Sequence, residues 1–137
     1  MKSIQKFDEL VEINSKVDNG ELGFDSKEYR EAFETVREMN WGERELFEVY
    51  SNQFENENDN LVIECDYEWS DEKIDSLDKA LKNHEIDTIY CYGRFNFNVN
   101  FLVGMQKRGW TMNGSLQKAE IEKRGICPVI EMFNIDL

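Results

Sequence analysis

Leu61-Val62-Ile63-Glu64-Cys65-Asp66-Tyr67-Glu68-Trp69 is the stretch where the chain changes period. Up to Phe54 the apolar residues return every three or four positions. From Leu61 they return every second one. Leu61, Ile63, Cys65, Tyr67 and Trp69 therefore share one side and Val62, Glu64, Asp66 and Glu68 the other, which is the pattern of a half-buried strand. The chain divides there into a helical front and a part that mixes strands with helices.

Before that point, Ser3 is placed to cap a first helix whose stripe is Ile4, Phe7, Leu10 and Val11. Asp18-Asn19-Gly20-Glu21-Leu22-Gly23 breaks it. Asp25-Ser26-Lys27-Glu28 resembles a capping box and opens a second helix, with Tyr29, Ala32, Phe33, Val36 and Met39 expected to face inward. Trp41-Gly42 is expected to end or bend that helix. A third pattern follows through Leu46, Phe47, Tyr50 and Phe54, with Glu43, Glu45 and Glu48 mostly outside, before the acidic loop from Glu55 to Asn60.

Beyond Trp69, Ser70 caps a helix whose first turn (Asp71, Glu72) suits the positive end of the dipole and whose stripe is Ile74, Leu77, Leu81 and His84. Residues 88–92 read as a second strand, and Gly93-Arg94 as a turn. Asn96 is then placed to cap a helix carrying Val99, Leu102, Val103 and Met105, stopped by Gly109 at C′. Residues 110–120 and 126–135 read as an antiparallel hairpin turning near Lys123-Arg124-Gly125. Pro128 pushes the last strand towards an edge or a bulge.

The order is amino-terminal helices followed by β-α-β-α-β-β. It predicts an α+β fold in which a four-stranded mixed sheet carries the later helices on one face. The front helices either cover remaining apolar surface or project as an acidic arm. With 137 residues and neither repeat nor linker, the expectation is a single domain over residues 1–137, with an acidic helical part (1–60) and an α/β sheet part (61–137).

Charge narrows the function. The chain has 16 Lys+Arg against 29 Asp+Glu, a net of −13, yet 40% of it is hydrophobic and 12% aromatic, which marks a folded protein and not an acidic tail. Residues 1–86 carry 24 acids and 10 bases, residues 87–137 carry 5 and 6. Within residues 43–75, 12 acids face only Arg44 and Lys73. A small domain needs a net charge of only about 2–8 for solubility, and concentrated like charge opposes folding. Such a field argues against direct binding to nucleic acid or anionic membrane and points to a basic partner. The amino terminus has no apolar signal-peptide core, and three unclustered cysteines suit a reducing cytosol, so a cytoplasmic protein is expected.

Glu64, Asp66 and Glu68 lie about 6.6 Å apart along one strand face, with Glu55, Glu57 and Asp59 just before them. A row of carboxylates at that spacing offers negative charge in a line, as a nucleic-acid backbone does. An ordinary solvent-facing strand side explains the same row. The expected partner-binding set is Glu43, Glu45, Glu48, Glu55, Glu57, Asp59, Glu64, Asp66, Glu68, Asp71 and Glu72. Asn58-Asp59-Asn60 adds oxygen donors for Mg²⁺ or Ca²⁺, but EF-hand spacing and its glycine are absent, so no metal or other cofactor is expected.

His84 is the one histidine, and its place on an apolar stripe at a helix end favours packing or capping over general-base work. Cys65, Cys91 and Cys127 form no CxxC pair and read as small core residues. Gly93-Arg94-Phe95-Asn96 precedes a helix amino terminus able to hold an anion, and equally serves as a plain turn. Arg94, Lys107, Arg108, Lys118, Lys123 and Arg124 lie near Phe95, Phe97 and Phe101, which form either an exposed contact patch or part of the packing against the front helices.

Residues 86–137 resemble small, uncharacterised acidic proteins encoded by phages and integrative elements of Firmicutes. The resemblance rests on Ile89-Tyr90-Cys91-Tyr92, on Leu102 through Gly109-Trp110, and on Pro128-Val129-Ile130. It covers about 50 of the 137 residues, and Asn96-Phe97 stands where those relatives tend to have Ser-Thr. It implies a genomic setting rich in anti-defence genes and no particular activity. The charge pattern is similar in kind to anti-CRISPR proteins and other DNA mimics, a shared strategy and not homology.

The leading expectation is a non-enzymatic inhibitor, an anti-CRISPR-like anti-defence protein of a mobile element. It would compete with nucleic acid for a basic effector such as a Cas nuclease. An immunity or antitoxin protein for a basic nuclease toxin fits the same electrostatics, and gene neighbourhood separates the two. A small enzyme using His84, or the acidic strand with a metal, is the third reading.

Overall fold

The computed structural model describes residues 3–55, 61–65, 68–93, 97–113, 117–121 and 125–137, with backbone alone at 53–55, 117–121 and 125. In chain order the elements are α1 (Gln5–Asp18), α2 (Lys27–Arg37), α3 (Trp41–Glu55), β1 (Val62–Glu64), α4 (Asp71–Asn83), β2 (Thr88–Tyr92), α5 (Val99–Lys107), β3 (Thr111–Met112), β4 (Gln117–Ile121) and β5 (Gly125–Phe133). This is the expected α+β order.

The mixed sheet runs β1-β2-β5, with β3 and β4 following one another along the far side of β5. β1 and β2 are parallel (Ile63 beside Cys91), joined through α4. β2 and β5 are antiparallel (Ile89 beside Met132). Residues 110–120 are not one continuous strand. β3 pairs Thr111 with Phe133, while β4 pairs Gln117 with Val129, a register two residues out of step with a single continuous ladder. β3 and β4 together make one interrupted strand, and the sheet keeps four positions. Pro128 sits one residue past the last β2 partner, Val129, where β5 is paired with β4 alone. Its missing N–H is thus kept off the β2 ladder.

One sheet face is the apolar one. Ile63, Ile89, Cys91 and Met132 on it are buried with Ile74, Leu77 and Leu81 of α4 and Phe101 and Met105 of α5. The two helices touch closely enough that a Cβ on Gly104 would meet Ile74 at 2.9 Å. Tyr92, Cys127 and Val129 form a smaller cluster on the other face, beside Val62 and Tyr90.

The front helices pack on the sheet part and do not project as an arm. Phe7, Leu10, Leu46, Phe47 and Tyr50 belong to the same core as Ile74 and Met132. Gly42 meets the α4 backbone directly, its N–H donating to Ser76 Oγ at 2.8 Å. Beside that contact Trp41 stands edge-on to Trp69 (5.2 Å), Lys73 Nζ sits 5.2 Å from the Trp41 ring centre, and Trp69 tilts against Phe101 at 4.7 Å. Phe101 is therefore fully buried against Trp69 and does not belong to an exposed patch. Phe97 is half-buried, and Phe95 lies outside the described residues.

Local signals hold in some places and shift in others. Ser26 and Ser70 cap α2 and α4 as read, accepting from Tyr29 N–H and Lys73 N–H, and Gly109 takes the left-handed turn after α5 (φ +98°). Ser3 is not a cap. Ile4 holds that position without a side-chain bond, and Ser3 Oγ donates to Asp8. Trp41-Gly42 opens α3 instead of ending α2, because Asn40 Oδ1 accepts from Glu43 N–H and starts a new helix. Asn98 caps α5, accepting from Phe101 N–H. Asn96, the residue expected there, lies outside the described residues. Phe33 faces solvent, whereas Ala32 and Met39 face inward.

Candidate functional site

The acidic section does not form one uniform surface. Glu48 on α3, Glu68 before the α4 cap, and Asp71 and Glu72 in the first turn of α4 are exposed. Glu45 and Glu64 are half-buried and have partners. Glu64 stands beside Tyr92 in the β1–β2 register, on the face opposite Ile63, as the alternation requires. Glu57, Asp59 and Asp66, and the side chain of Glu55, lie outside the described residues.

Glu43 is the correction. It is 8% exposed, and its Oε1 lies 2.7 Å from His84 Nε2 and 3.5 Å from Lys6 Nζ. Gly42 brings the start of α3 onto α4, so the next residue turns towards the carboxyl end of α4, where His84 is the cap residue. Phe7 closes the arrangement, its ring centre 5.0 Å from that of the imidazole. His84 thus packs and caps as its place on the stripe implies, and its carboxylate partner is the residue that sequence spacing leaves outside.

A cleft of about 390 Å³ opens above this joint, between Lys6 of α1, Thr35 and Glu38 at the end of α2, Asn40, Glu43 and Asn83. Its walls are polar. Glu43 forms part of the wall and is already engaged with His84.

Replacing His84 by leucine leaves Glu43 with Lys6 alone in a mostly dry position. A loss of about 1–3 kcal/mol in urea unfolding is expected. The Glu43→Leu/His84→Leu pair should recover part of it, because no carboxylate is then left unsatisfied. Equal losses in the single and double variants would count against the joint.

The cations near the acids are largely committed. Asp75 takes Lys79 at 2.8 Å and Arg108 at 3.4 Å, and the Lys79 hydrogen bond, aided by Arg108, holds its carboxyl below the usual carboxylate range. Buried Asp78 binds Lys82 at 3.0 Å and accepts from Trp110 Nε1 at 2.8 Å, tying α4 to the entry of β3. Cys65, Cys91 and Cys127 are buried thiols. Burial, with Cys65 beside it, pushes the Cys91 thiol well up, away from the reactive thiolate.

Among the described residues no group of three His, Cys, Asp or Glu stands where it would hold a metal ion, and no helix is long and apolar enough to cross a membrane. Comparison with protein-family models, curated proteins and solved structures finds no match to this chain. What fold and charge define is a class: an acidic α+β protein whose negative excess lies in its helical front and first strand.

Proposed function

We propose that the protein is a non-enzymatic acidic inhibitor that competes with nucleic acid for a basic surface on a nucleic-acid-binding effector. The observation that carries this reading is the placement of charge. Residues 43–75 hold 12 acids and two bases, and Glu48, Glu68, Asp71 and Glu72 stand exposed among them. A basic groove built for phosphates attracts such a field and associates with it quickly. The one histidine is held by Glu43 and Phe7 in a structural joint, which also supports binding over catalysis. The resemblance of residues 86–137 to proteins of phages and integrative elements favours an anti-defence setting, with a Cas nuclease as the basic effector.

The test uses purified RNA-guided nucleases holding a fluorescent DNA duplex. Displacement of the duplex at low salt, weakening as salt rises, is the expected result. Failure to displace it from any of them at any salt would sink the proposal.

A further inference from the structure

Three aromatic rings form a continuous apolar patch on α2 and the turn before it. Phe24, in the turn before α2, is 74% exposed, and Phe33 on α2 is 56% exposed. Half-buried Tyr29 links them, its ring centre 5.5 Å from that of Phe24 in an edge-on contact and 6.5 Å from that of Phe33. The patch is held firmly from below. The Ser26 hydroxyl fixes the start of α2, and Ala32 is buried where α2 meets the rest of the front. Two large exposed phenylalanines joined through a third ring are an unusual use of surface, and such clusters mark contact sites.

The charge around the rings selects the occupant. Glu21, Asp25, Glu28, Glu31, Glu34 and Glu38 are all exposed, against Lys27, Arg30 and Arg37. Lys27 pairs with Glu31 at 3.8 Å and Arg37 with Glu34 at 3.5 Å, each pair cancelling one acid and one base, so a surplus of three acids remains around the rings. A second copy would bring the same acidic ring onto this one, within a chain of net charge −13. An anionic membrane is repelled for the same reason. An apolar surface edged with Lys or Arg fits on both counts.

We infer that Phe24, Tyr29 and Phe33 form the apolar anchor of an interface that seats a cationic amphipathic segment of a protein partner. The inference rests on the proposed binding of a basic effector and adds a second contact to it. The acids of residues 43–75 supply attraction, and this patch supplies the water-excluding contact that slows dissociation.

The probe is a synthetic amphipathic helix of Leu and Lys alone, titrated by calorimetry, with a same-composition peptide whose residues are scrambled off one face. The wild type should prefer the amphipathic peptide. Phe24→Ser, safe for folding because Phe24 lies in a turn and mostly in solvent, should weaken its binding about fivefold, and Phe24→Ser/Phe33→Ser about tenfold or more. A Glu48→Gln/Glu68→Gln/Asp71→Asn/Glu72→Gln variant should keep the same preference for the amphipathic peptide. Equal binding of the two peptides, or unchanged binding by the phenylalanine variants, would overturn the inference. So would a concentration-dependent dimer, or adsorption to phosphatidylcholine vesicles, that disappears with the two phenylalanines. Peptide binding that persists where DNA displacement fails would remove the competition reading and leave this one standing.

Discussion

Gly42→Ala is expected to lower the unfolding free energy by about 3 kcal/mol or more, the upper end of what overpacking costs. A Cβ at this position would lie 2.1 Å from Ser76 O, 2.2 Å from Ser76 C and 2.5 Å from Leu77 N. All three are backbone atoms inside α4, so no side chain can swing aside to make room. The start of α3 must move off α4. That movement breaks the hydrogen bond from Gly42 N–H to Ser76 Oγ, opens the Trp41–Trp69 contact, and pulls Glu43 from His84. Chemical denaturation of the two proteins measures the difference. A loss below about 1 kcal/mol would mean that the helices part easily and that this crossing is not a main support of the front.

Neutralising Glu48, Glu68, Asp71 and Glu72 together (E48Q, E68Q, D71N, E72Q) should slow association with a basic effector about tenfold at low salt, at the modest end of electrostatic steering. The four lie in or just before helices and are, among the described residues, the exposed acids of the acidic section. The change takes the net charge from −13 to −9. Salt should reduce the difference, because exposed charges separated by more than about 8 Å are screened at physiological ionic strength. Folding should survive. Loss of Asp71 and Glu72 from the positive end of α4 costs about 0.3–1 kcal/mol each, and relief of self-repulsion acts in the opposite direction. Stopped-flow association rates for wild type and variant, at several salt concentrations, provide the measurement. Identical rates would place the contact elsewhere.

The sequence is most legible where structure is set by near neighbours. The change of period at Leu61 marks the passage from helices to sheet. Ser26 and Ser70 announce helix starts because a hydroxyl needs only the N–H three residues on. Thr88–Tyr92 reads correctly because its core-facing pair, Ile89 and Cys91, is bounded by a helix end before it and Gly93 after it. β1 is shorter than its alternation. The side pattern holds at Leu61, Ile63, Cys65 and Trp69, but ladder pairing covers only Val62–Glu64.

What escapes the sequence depends on distant partners. Glu43 is acidic, follows a helix start, and has every local reason to face water. It is buried because Gly42 admits α4, and because Lys6 and His84 come from 37 residues before and 41 residues after it. Phe33 has the opposite history. Its spacing matches an inward stripe, yet α2 packs along a narrow line through Ala32 and Val36, which leaves the ring outside. Phe101, grouped by sequence with basic neighbours, disappears against Trp69. For the acidic row, the strand face of Glu64 and the exposure of Glu48 and Glu68 are readable from periodicity, that of Asp71 and Glu72 from their place in the first turn after Ser70, and the burial of Glu43 from neither.

The competition itself is the most direct test. A fluorescent DNA duplex held by an RNA-guided nuclease is titrated with the wild type and with the four-residue neutralised variant, at low and at high salt. Competition for a basic surface predicts displacement by the wild type at low salt, a potency that falls as salt rises, and a variant weaker by about tenfold at low salt only. A duplex that stays bound at every concentration of the wild type, or is displaced equally well by the variant, would contradict it.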